Sequence, residues 1–351
     1  MKEATFRISF ATPAFLGNAE QVSQWRTPPF KALLRQWWRV AKARECTFDH
    51  RLVQEQENVL FGQAKDTGAT RSALRIRLSG WNQGTLATWS GDSSVSHPEV
   101  KFPVGANLYL GYGPLVYDKA TKRAAFKSTG GGPVMAIRPI EEQADLWLGY
   151  PDGFEKEIHQ ALQLIGWFGT MGSRSRNGWG SLILEHPVPL TKAAVLPYSL
   201  PWTDCLAREW AHAIGADGKG PLVWETTAQP TWSEVMRRLA TIKIAFRTQF
   251  KFTVGGPHPH PAERHVLAYP VTKHSLHGWD GNQRLANQIR FKVARRPEGF
   301  VGVIVHLPTR APEDHFKKME KHKAGFRELE KIVWPKVHAN LDGTTGLSRL
   351  K

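Results

Sequence analysis

The sequence predicts an α+β protein made of two units. Predicted strands and helices interleave in both halves, and they lack the short, regular period of a doubly wound parallel sheet. A proline-rich stretch, VLPYSLPW, marks a boundary between a first domain, residues 1–190, and a second domain, residues 191–351. A chain of 351 residues is long enough for two domains with a core each.

The first half opens with a strand and a helix. Residues 6–10 alternate apolar and polar side chains, which is typical of a half-buried strand. The helix PPFKALLRQWWRVAKA follows, with prolines in its first turn and one apolar stripe along its length. Further along, the sequence predicts strands at residues 73–78, 107–112 and 181–184, and a helix that begins at the capping-box pattern Asp152-x-x-Glu155.

The second half repeats this alternation of helices and strands. Apolar periodicity predicts a helix at residues 233–239, a strand at 242–246, two strands at 289–293 and 300–307, and a charged helix over about 313–333.

The chain is strongly basic. Its 47 Lys and Arg residues exceed its 31 Asp and Glu residues, which gives a net charge of +16 and a pI near 9.9. This surplus favours a polyanionic partner, nucleic acid before an anionic membrane. No run approaches the ~20 apolar residues of a spanning helix. The N-terminus alternates like a strand and has no signal-peptide segment, and the chain has only two cysteines, so we expect a reduced, cytoplasmic protein without a cofactor.

The first predicted helix carries a row of cations. Lys31, Arg35 and Arg39 are spaced by four residues, so they lie on one side of the helix beside the tryptophan stripe. Arg26 precedes the helix, whose N-terminal amides add partial positive charge. Such a row suits phosphates spaced along a strand. The basic surplus of the whole chain favours this interpretation over a merely solvated basic face.

A glycine-rich loop, GTMGSRSRNGWGSL, follows the second predicted helix at residues 169–182. It runs from helix to strand and lacks Gly-Lys-Ser/Thr, so it does not indicate a nucleoside triphosphatase. A helix C-cap and turn would explain Gly169 and Gly172. That alternative leaves Arg174 and Arg176, which alternate with serines, unexplained. They favour a bound phosphate, and Trp179 is a candidate for stacking on a base.

Histidines cluster in PHPHPAERH and KHSLH. The spacing His274-x-x-His277 is usable for zinc, but no cysteine lies nearby, so a zinc enzyme is a weak alternative. Metal-free RNA cleavage is a second alternative, with His274, His277 and the loop arginines as candidate acid, base and charge-stabilising groups. The sequence has no G-x-S-x-G, H-E-x-x-H or nucleotide fingerprint, and it therefore favours binding over catalysis.

The order of motifs in the first half resembles that of the RAMP superfamily of CRISPR proteins, and it is most like the first subunit of the type III-B (Cmr) effector complex. The motifs are TPAFLGN, WRTPPFKALLRQWWR, ENVLFGQ and FGTMGSRSRNGWGSL, within residues 4–185. In the second half only RLANQIRFKV resembles a RAMP pattern. Ala32 and Asn177 depart from the family, where glycine and arginine are frequent.

The resemblance implies two ferredoxin-like, RRM-related domains in a subunit of a multi-subunit ribonucleoprotein. It implies contact with the 3′ portion of the CRISPR RNA, help in capturing target RNA, and packing on other RAMP and backbone subunits. Cleavage is assigned to other subunits, which implies a non-catalytic role. The alternative is a RAMP endoribonuclease that processes precursor RNA without metal. The expected RNA-binding residues, including Asn177 and Trp179 from the loop composition, are Arg26, Lys31, Arg35, Trp38, Arg39, Gly172, Ser173, Arg174, Ser175, Arg176, Asn177, Gly178, Trp179 and Gly180.

Overall fold

Two four-stranded antiparallel sheets form the framework of the computed structural model. It describes residues 1–64, 68–129, 132–133, 135–185, 187–279 and 283–351. In the first sheet the spatial order is β4-β1-β3-β2, and the long central strands β1 and β3 pair from Lys2 opposite Tyr150 to Ser9 opposite Gln143. The strands of this sheet are β1 (Lys2–Phe10), β2 (Arg75–Leu78), β3 (Gln143–Tyr150) and β4 (Leu182–Leu184).

Helices connect these strands on one side of the first sheet. Helices α1 (Thr27–Lys42) and α2 (His50–Phe61) lie between β1 and β2, and α4 (Glu155–Phe168) lies between β3 and β4. A long connection between β2 and β3 contains the short helix α3 (Ala106–Gly111) and three small hairpins. The hairpin strands are Ser94–Val95 with Val104–Gly105, Leu115–Asp118 with Arg123–Phe126, and Ser128–Thr129 with Gly132–Pro133.

The second sheet has the spatial order β6-β7-β5-β8. Helix α5 (Trp232–Thr248) connects β5 to β6, and α6 (Glu320–Asp342) connects β7 to β8. The strands are β5 (Val223–Thr226), β6 (Ile289–Arg296), β7 (Gly299–His306) and β8 (Leu347–Arg349). In the sequence, a small three-stranded sheet and three short helices lie between the two main sheets. The strands are Ser199–Pro201, Ile214–Asp217 and Gly220–Pro221, and the helices are Lys192–Val195, Leu196–Tyr198 and Trp202–Cys205. Two further short helices, Glu263–Leu267 and Glu313–Phe316, lie later in the second half.

Both main sheets therefore have the connectivity β-α-β-β-α-β, with the fourth strand beside the first and the third beside the second. The predicted α+β class with strands and helices in both halves is confirmed. The domain boundary at residue 190 stays a prediction.

The two halves meet along β6. The ammonium group of Lys292 donates hydrogen bonds to the carbonyl oxygens of Ile165, at 2.9 Å, and Gly166, at 2.7 Å, in the last turn of α4. The Ile165 carbonyl also accepts from the N–H of Gly169 at 2.7 Å, so the lysine adds donors from the second half to a helix end that the first half caps in part. The neighbouring backbone N–H of Val293 donates to the hydroxyl of Ser181 at 2.8 Å.

Apolar side chains of α1 explain why this helix is fixed on the first sheet. Trp37 and Trp38 are fully buried, and Trp37 packs against Phe168 of α4 with ring centroids 5.6 Å apart. Burial of each such ring contributes about 2–3 kcal/mol. Trp38 packs edge-to-face on Phe61 of α2, with ring centroids 5.7 Å apart. The apolar stripe predicted from the sequence thus forms the core, and the cations of α1 lie beside it.

Several predicted elements are wrong. Residues 107–111 belong to α3, which Tyr112 follows, and residues 242–246 belong to α5, where a strand was expected in each case. Helix α5 is buried against several neighbours, with Ile242, Ile244 and Phe246 all inside, so its apolar residues alternate as they do in a strand. Asp152 does not cap α4, because its carboxylate accepts a hydrogen bond from the N-terminal amine of Met1. Helix α2 was not predicted.

No helix in the described part of the chain is long and apolar enough to cross a membrane.

Candidate nucleic-acid interface

The glycine-rich loop is fixed between the two halves. Its Ser173 N–H donates to the carbonyl oxygen of Phe15, in the turn after β1, at 3.0 Å. On the other side, the N–H of Phe291 in β6 donates to the carbonyl oxygen of Arg176, also at 3.0 Å. The loop therefore lies where the two halves are in contact, and its backbone is hydrogen-bonded to both.

Glycines of this loop serve its packing. Gly180 has a φ of 59°, and a Cβ atom there would lie 2.0 Å from the carbonyl oxygen of Met171. Gly172, with a φ of 90°, has equally little space, since a Cβ would lie 2.6 Å from the carbonyl oxygen of Phe15. A side chain at either position would clash with backbone. These glycines thus let the loop lie close to the protein's own backbone.

The exposed part of the loop contains its arginines. Gly172, Ser173, Arg174 and Arg176 are exposed, Ser175 and Asn177 are half-buried, and Gly178, Trp179 and Gly180 are buried. The predicted stacking role of Trp179 is wrong. This side chain is fully buried, and it packs against Phe15, Trp89 and Trp232 with ring centroids 5.4–6.2 Å apart.

A groove of about 790 Å³ opens beside the loop and is lined by both halves. The loop forms one wall, while α5 and residues 268–272 and 284–290 form the other. Six cations and no carboxylate are among the described residues that line it, and the cations are Arg174, Arg176, Lys243, Arg247, Arg284 and Arg290.

The positive charges in this groove repel each other. Burial and, to a smaller extent, the charges of Arg247 and Arg174 lower the pKa of Lys243 to about 7. Burial and, less strongly, the charge of Arg176 lower the pKa of Arg290 to about 9. Among the described residues, no carboxylate forms an ion pair with the five cations named last, which are Arg174, Arg176, Lys243, Arg247 and Arg290. A groove of this kind attracts anions, because a negative ligand would relieve the repulsion.

Asn177 connects the loop to α5. Its amide nitrogen donates to the carbonyl oxygen of Leu110 in α3 at 2.7 Å, which turns its amide oxygen towards Lys243. The ammonium group of Lys243 donates to that oxygen at 2.7 Å. The ammonium group of Lys243, from the second half, thus lies beside Asn177, at the position where the RAMP pattern often has an arginine.

The cations of α1 do not join the loop arginines. Arg35 and Arg39 both donate to the carboxylate of Glu57 in α2, whose side chain is 1% exposed. Arg39 lines a separate depression of about 560 Å³, and of α1 only Gln36 lines the groove. Burial opposes ionisation of Glu57, but hydrogen bonds from Arg39 and Arg35 outweigh it and hold its pKa below the ordinary value. The predicted convergence of the α1 cations with the loop is therefore wrong.

The other predicted α1 residues are divided between roles. Trp38 is fully buried in the core and presents no face to a base, so its predicted contact with RNA is wrong. Lys31 is half-buried, and burial and then the charge of Arg35 lower its pKa. Arg26 is nearer the loop, because its guanidinium donates to the carbonyl oxygen of Gly17. Gly17 and Arg174 line a second depression, of about 470 Å³, so Arg174 stands between two concave surfaces.

The histidine cluster has internal partners. His258 and His274 share a hydrogen bond of 2.8 Å, and the ring of Phe252 stacks on His274 with centroids 3.8 Å apart. Neither His274 nor His277 lines the groove. Within the described ranges, no group of three or more His, Cys, Asp or Glu side chains is arranged to hold a metal ion.

Sequence reasoning missed the part of the site that the second half supplies. Lys243 and Arg247 are four residues apart on α5, which is the same signal that drew attention to α1, but residues 242–246 were interpreted as a strand. Arg290 lies within RLANQIRFKV, the second-half segment that resembles a RAMP pattern. A helix assignment for residues 242–248 would have placed Lys243 and Arg247 on one face.

Three solved structures are similar to this chain. Cmr1 from Pyrococcus furiosus in its apo form is 15% identical, with 89% of this chain and 90% of that chain covered and a TM-score of 0.46. A chain of type III-B Cmr-beta bound to cognate target RNA and AMPPnP, in the presence of ssDNA, is 9% identical, with 95% and 98% covered and a TM-score of 0.45. A chain of Cmr-beta bound to cognate target RNA is 9% identical, with 95% and 99% covered and a TM-score of 0.43.

The first of these structures is of a Cmr1 protein, and the other two contain chains of a type III-B Cmr-beta complex. Their TM-scores lie below 0.5 and their identities at or below 15%, so the chemistry of this chain rests on its own residues. No family model and no curated protein matches the sequence.

Proposed function

We propose that this chain is a non-catalytic RNA-binding subunit of a type III-B (Cmr) CRISPR effector ribonucleoprotein. The observation that carries the proposal is the groove between the halves, lined by six cations and no carboxylate of the described residues. A surface of this kind neutralises phosphates along a nucleic-acid strand and releases their counterions. It also agrees with the net charge of +16.

The groove suits a single strand better than a duplex. Its cations come from both walls and from its floor, so they surround a backbone that lies inside it. A duplex is wider than a single strand and would need a broader, more open protein surface. In this proposal an exposed aromatic residue, and not the buried Trp179, stacks on a base of the RNA. Tyr112 is 64% exposed and precedes Gly113, which lines the second depression beside Arg174.

The place of the chain in a larger assembly follows from the resemblance of its motifs. We infer that its two β-α-β-β-α-β units are ferredoxin-like domains and that the groove between them contacts the 3′ portion of the CRISPR RNA and helps capture target RNA. In this proposal the chain is cytoplasmic and packs on other RAMP and backbone subunits. The exposed side of α1, whose arginines are bound to Glu57, remains for such packing.

The test is RNA binding by the double variant R174A/R176A over a range of salt concentrations. We expect weaker binding and a logarithmic salt slope that is smaller by about 1.4, because each phosphate contact on a single strand contributes about 0.7. The matched control is R51A/R237A, which removes two exposed arginines outside the groove. Equal binding by the two double variants would remove the loop from the site.

The alternative, a metal-independent endoribonuclease, has less support. General acid–base cleavage needs both a proton donor and a proton acceptor at the RNA. Lys243, with a pKa of about 7, is one such group in the groove, but no histidine and no carboxylate is among the described lining residues to act with it. Incubation of the pure protein with a repeat-containing RNA in EDTA separates the two functions. We expect intact RNA, whereas discrete products that disappear in R174A/R176A would establish the nuclease.

A further inference from the structure

Lys243 has an unusual position for a lysine. It lies on the floor of the groove, its residue is 9% exposed, and its ammonium group has the amide oxygen of Asn177 as acceptor at 2.7 Å. An amide oxygen carries no net charge, so it does not compensate a buried cation as a carboxylate would. The charge of the Lys243 ammonium group is therefore uncompensated by its hydrogen-bond acceptor, and an anion in the groove would compensate it.

The neighbours of Lys243 strengthen this conclusion. Helix α5 packs against α3, the strand Ser94–Val95, β6, β7 and α6. The charges that lower the pKa of Lys243 are those of Arg247, on its own helix, and Arg174, in the loop. Arg176 and Arg290 line the same groove, and the ring centroid of Tyr109 in α3 lies 5.8 Å from the ammonium group. Beyond Arg247 lie His97 and the carboxylate of Glu99, which accepts hydrogen bonds from Arg264.

We propose that Lys243, Asn177, Arg174 and Arg247 form a phosphate-binding subsite that takes up a proton when a phosphate group of the RNA strand enters the groove. This inference rests on the proposed RNA-binding function. In the free protein the amine of Lys243 is partly neutral near pH 7, because burial and the two arginines lower its pKa to about 7. A phosphate oxygen beside it reverses the local potential, so the proton is bound more tightly in the complex.

The pH dependence follows from the sign of this change. The complex binds more protons than the free protein, so RNA affinity falls as the pH rises above the free pKa of Lys243, which is about 7. The fall is at most about tenfold for each pH unit. Below that pH the lysine is charged in both states, and the dependence levels off.

The experiment measures proton uptake by isothermal titration of the full chain with a 20-nucleotide polyuridine. Titrations at pH 7 in HEPES and in Tris, whose ionisation enthalpies differ, give the number of protons bound. We expect about half a proton, since a group with a pKa near 7 is half protonated at that pH. The wild-type measurement needs no variant and therefore does not depend on whether a variant folds.

Variants assign the proton to Lys243. In K243R the guanidinium is charged throughout, so the RNA still binds and the proton uptake disappears. In K243Q we expect about tenfold weaker binding and no uptake. The control R237Q removes a charge from the exposed side of the same helix and keeps the uptake of the wild type.

The outcomes separate this inference from the proposed function. RNA binding without proton uptake, or with uptake that K243R retains, overturns the subsite and leaves the function standing. Uptake that inorganic phosphate alone produces, and that RNA does not, assigns the subsite to free phosphate and overturns its assignment to the strand. Absence of RNA binding by the wild type overturns both.

Discussion

Removal of Arg35 and Arg39 should destabilise the protein before it affects RNA binding. Together these arginines neutralise the carboxylate of Glu57, whose side chain is 1% exposed. In the double variant R35M/R39M the carboxylate remains buried without a counter-charge among the described residues. Breaking a buried ion pair in this way costs about 3–5 kcal/mol of unfolding free energy.

Two further variants make this prediction specific. E57Q leaves the arginines without a counter-charge, but their side chains are 38% and 44% exposed and remain hydrated, so we expect a loss of only about 1–2 kcal/mol. The triple variant R35M/R39M/E57L removes all three charges, and we expect its stability within about 1 kcal/mol of the wild type. The destabilisation should therefore depend on the unpaired carboxylate alone.

The pH dependence of the double variant supplies a further check. In the wild type the two arginines hold the pKa of Glu57 below the unfolded value, so this group stabilises the fold above the unfolded pKa and the contribution is lost as the pH falls through the folded pKa. Without them burial raises that pKa, so the folded state binds the proton more tightly and the deficit shrinks on acidification. We expect a smaller deficit at pH 5 than at pH 8.

The assay is urea unfolding followed by tryptophan fluorescence, with RNA binding measured on the same preparations. A double variant that unfolds like the wild type but binds RNA less well would refute this reasoning and would return both arginines to the RNA site. Failure of E57L to restore stability would refute the assigned cause.

Two other predictions follow from buried or exposed side chains. Burial, above all, lowers the pKa of His265 and of His338 from 6.5 to about 4. The unfolding free energy should therefore fall by about 3 kcal/mol for each histidine as the pH decreases from 6.5 to 4, and it should fall less in H265Q/H338Q. A urea midpoint that stays constant over this pH range would contradict the prediction. Y112A should weaken polyuridine binding about fivefold to tenfold with an unchanged salt slope, because stacking involves no counterion, and a reduced slope would show that the substitution disturbs Arg174 instead.

Two elements and part of the loop in the first half could be predicted from the sequence. The strand at residues 6–10 and the helix with the tryptophan stripe were identified because each has one buried face and a regular period. Loop arginines 174 and 176 were identified from composition, and the structure places both at the groove. The same composition gave a wrong role to Trp179, because a tryptophan beside arginines does not reveal whether it is covered.

Partners that are distant in the sequence could not be predicted. Nothing in the local pattern of α1 shows that Glu57 takes its arginines, because that carboxylate lies on a helix that the sequence did not indicate. Lys243 presents the same difficulty, since it follows Ile242 in an apolar stretch and contacts a loop 66 residues earlier. Long-range contacts of this kind determine the charge of the groove and are absent from local periodicity.

The ammonium group of Lys292 has a consequence for any attempt to separate the halves. A fragment that stops at residue 190 would lose the donor to Ile165 and Gly166, and α4 would expose the end from which the glycine-rich loop departs. Such a fragment would retain every motif of the first half and yet present its loop on a frayed support. The second half thus sets the geometry of a segment that it does not encode.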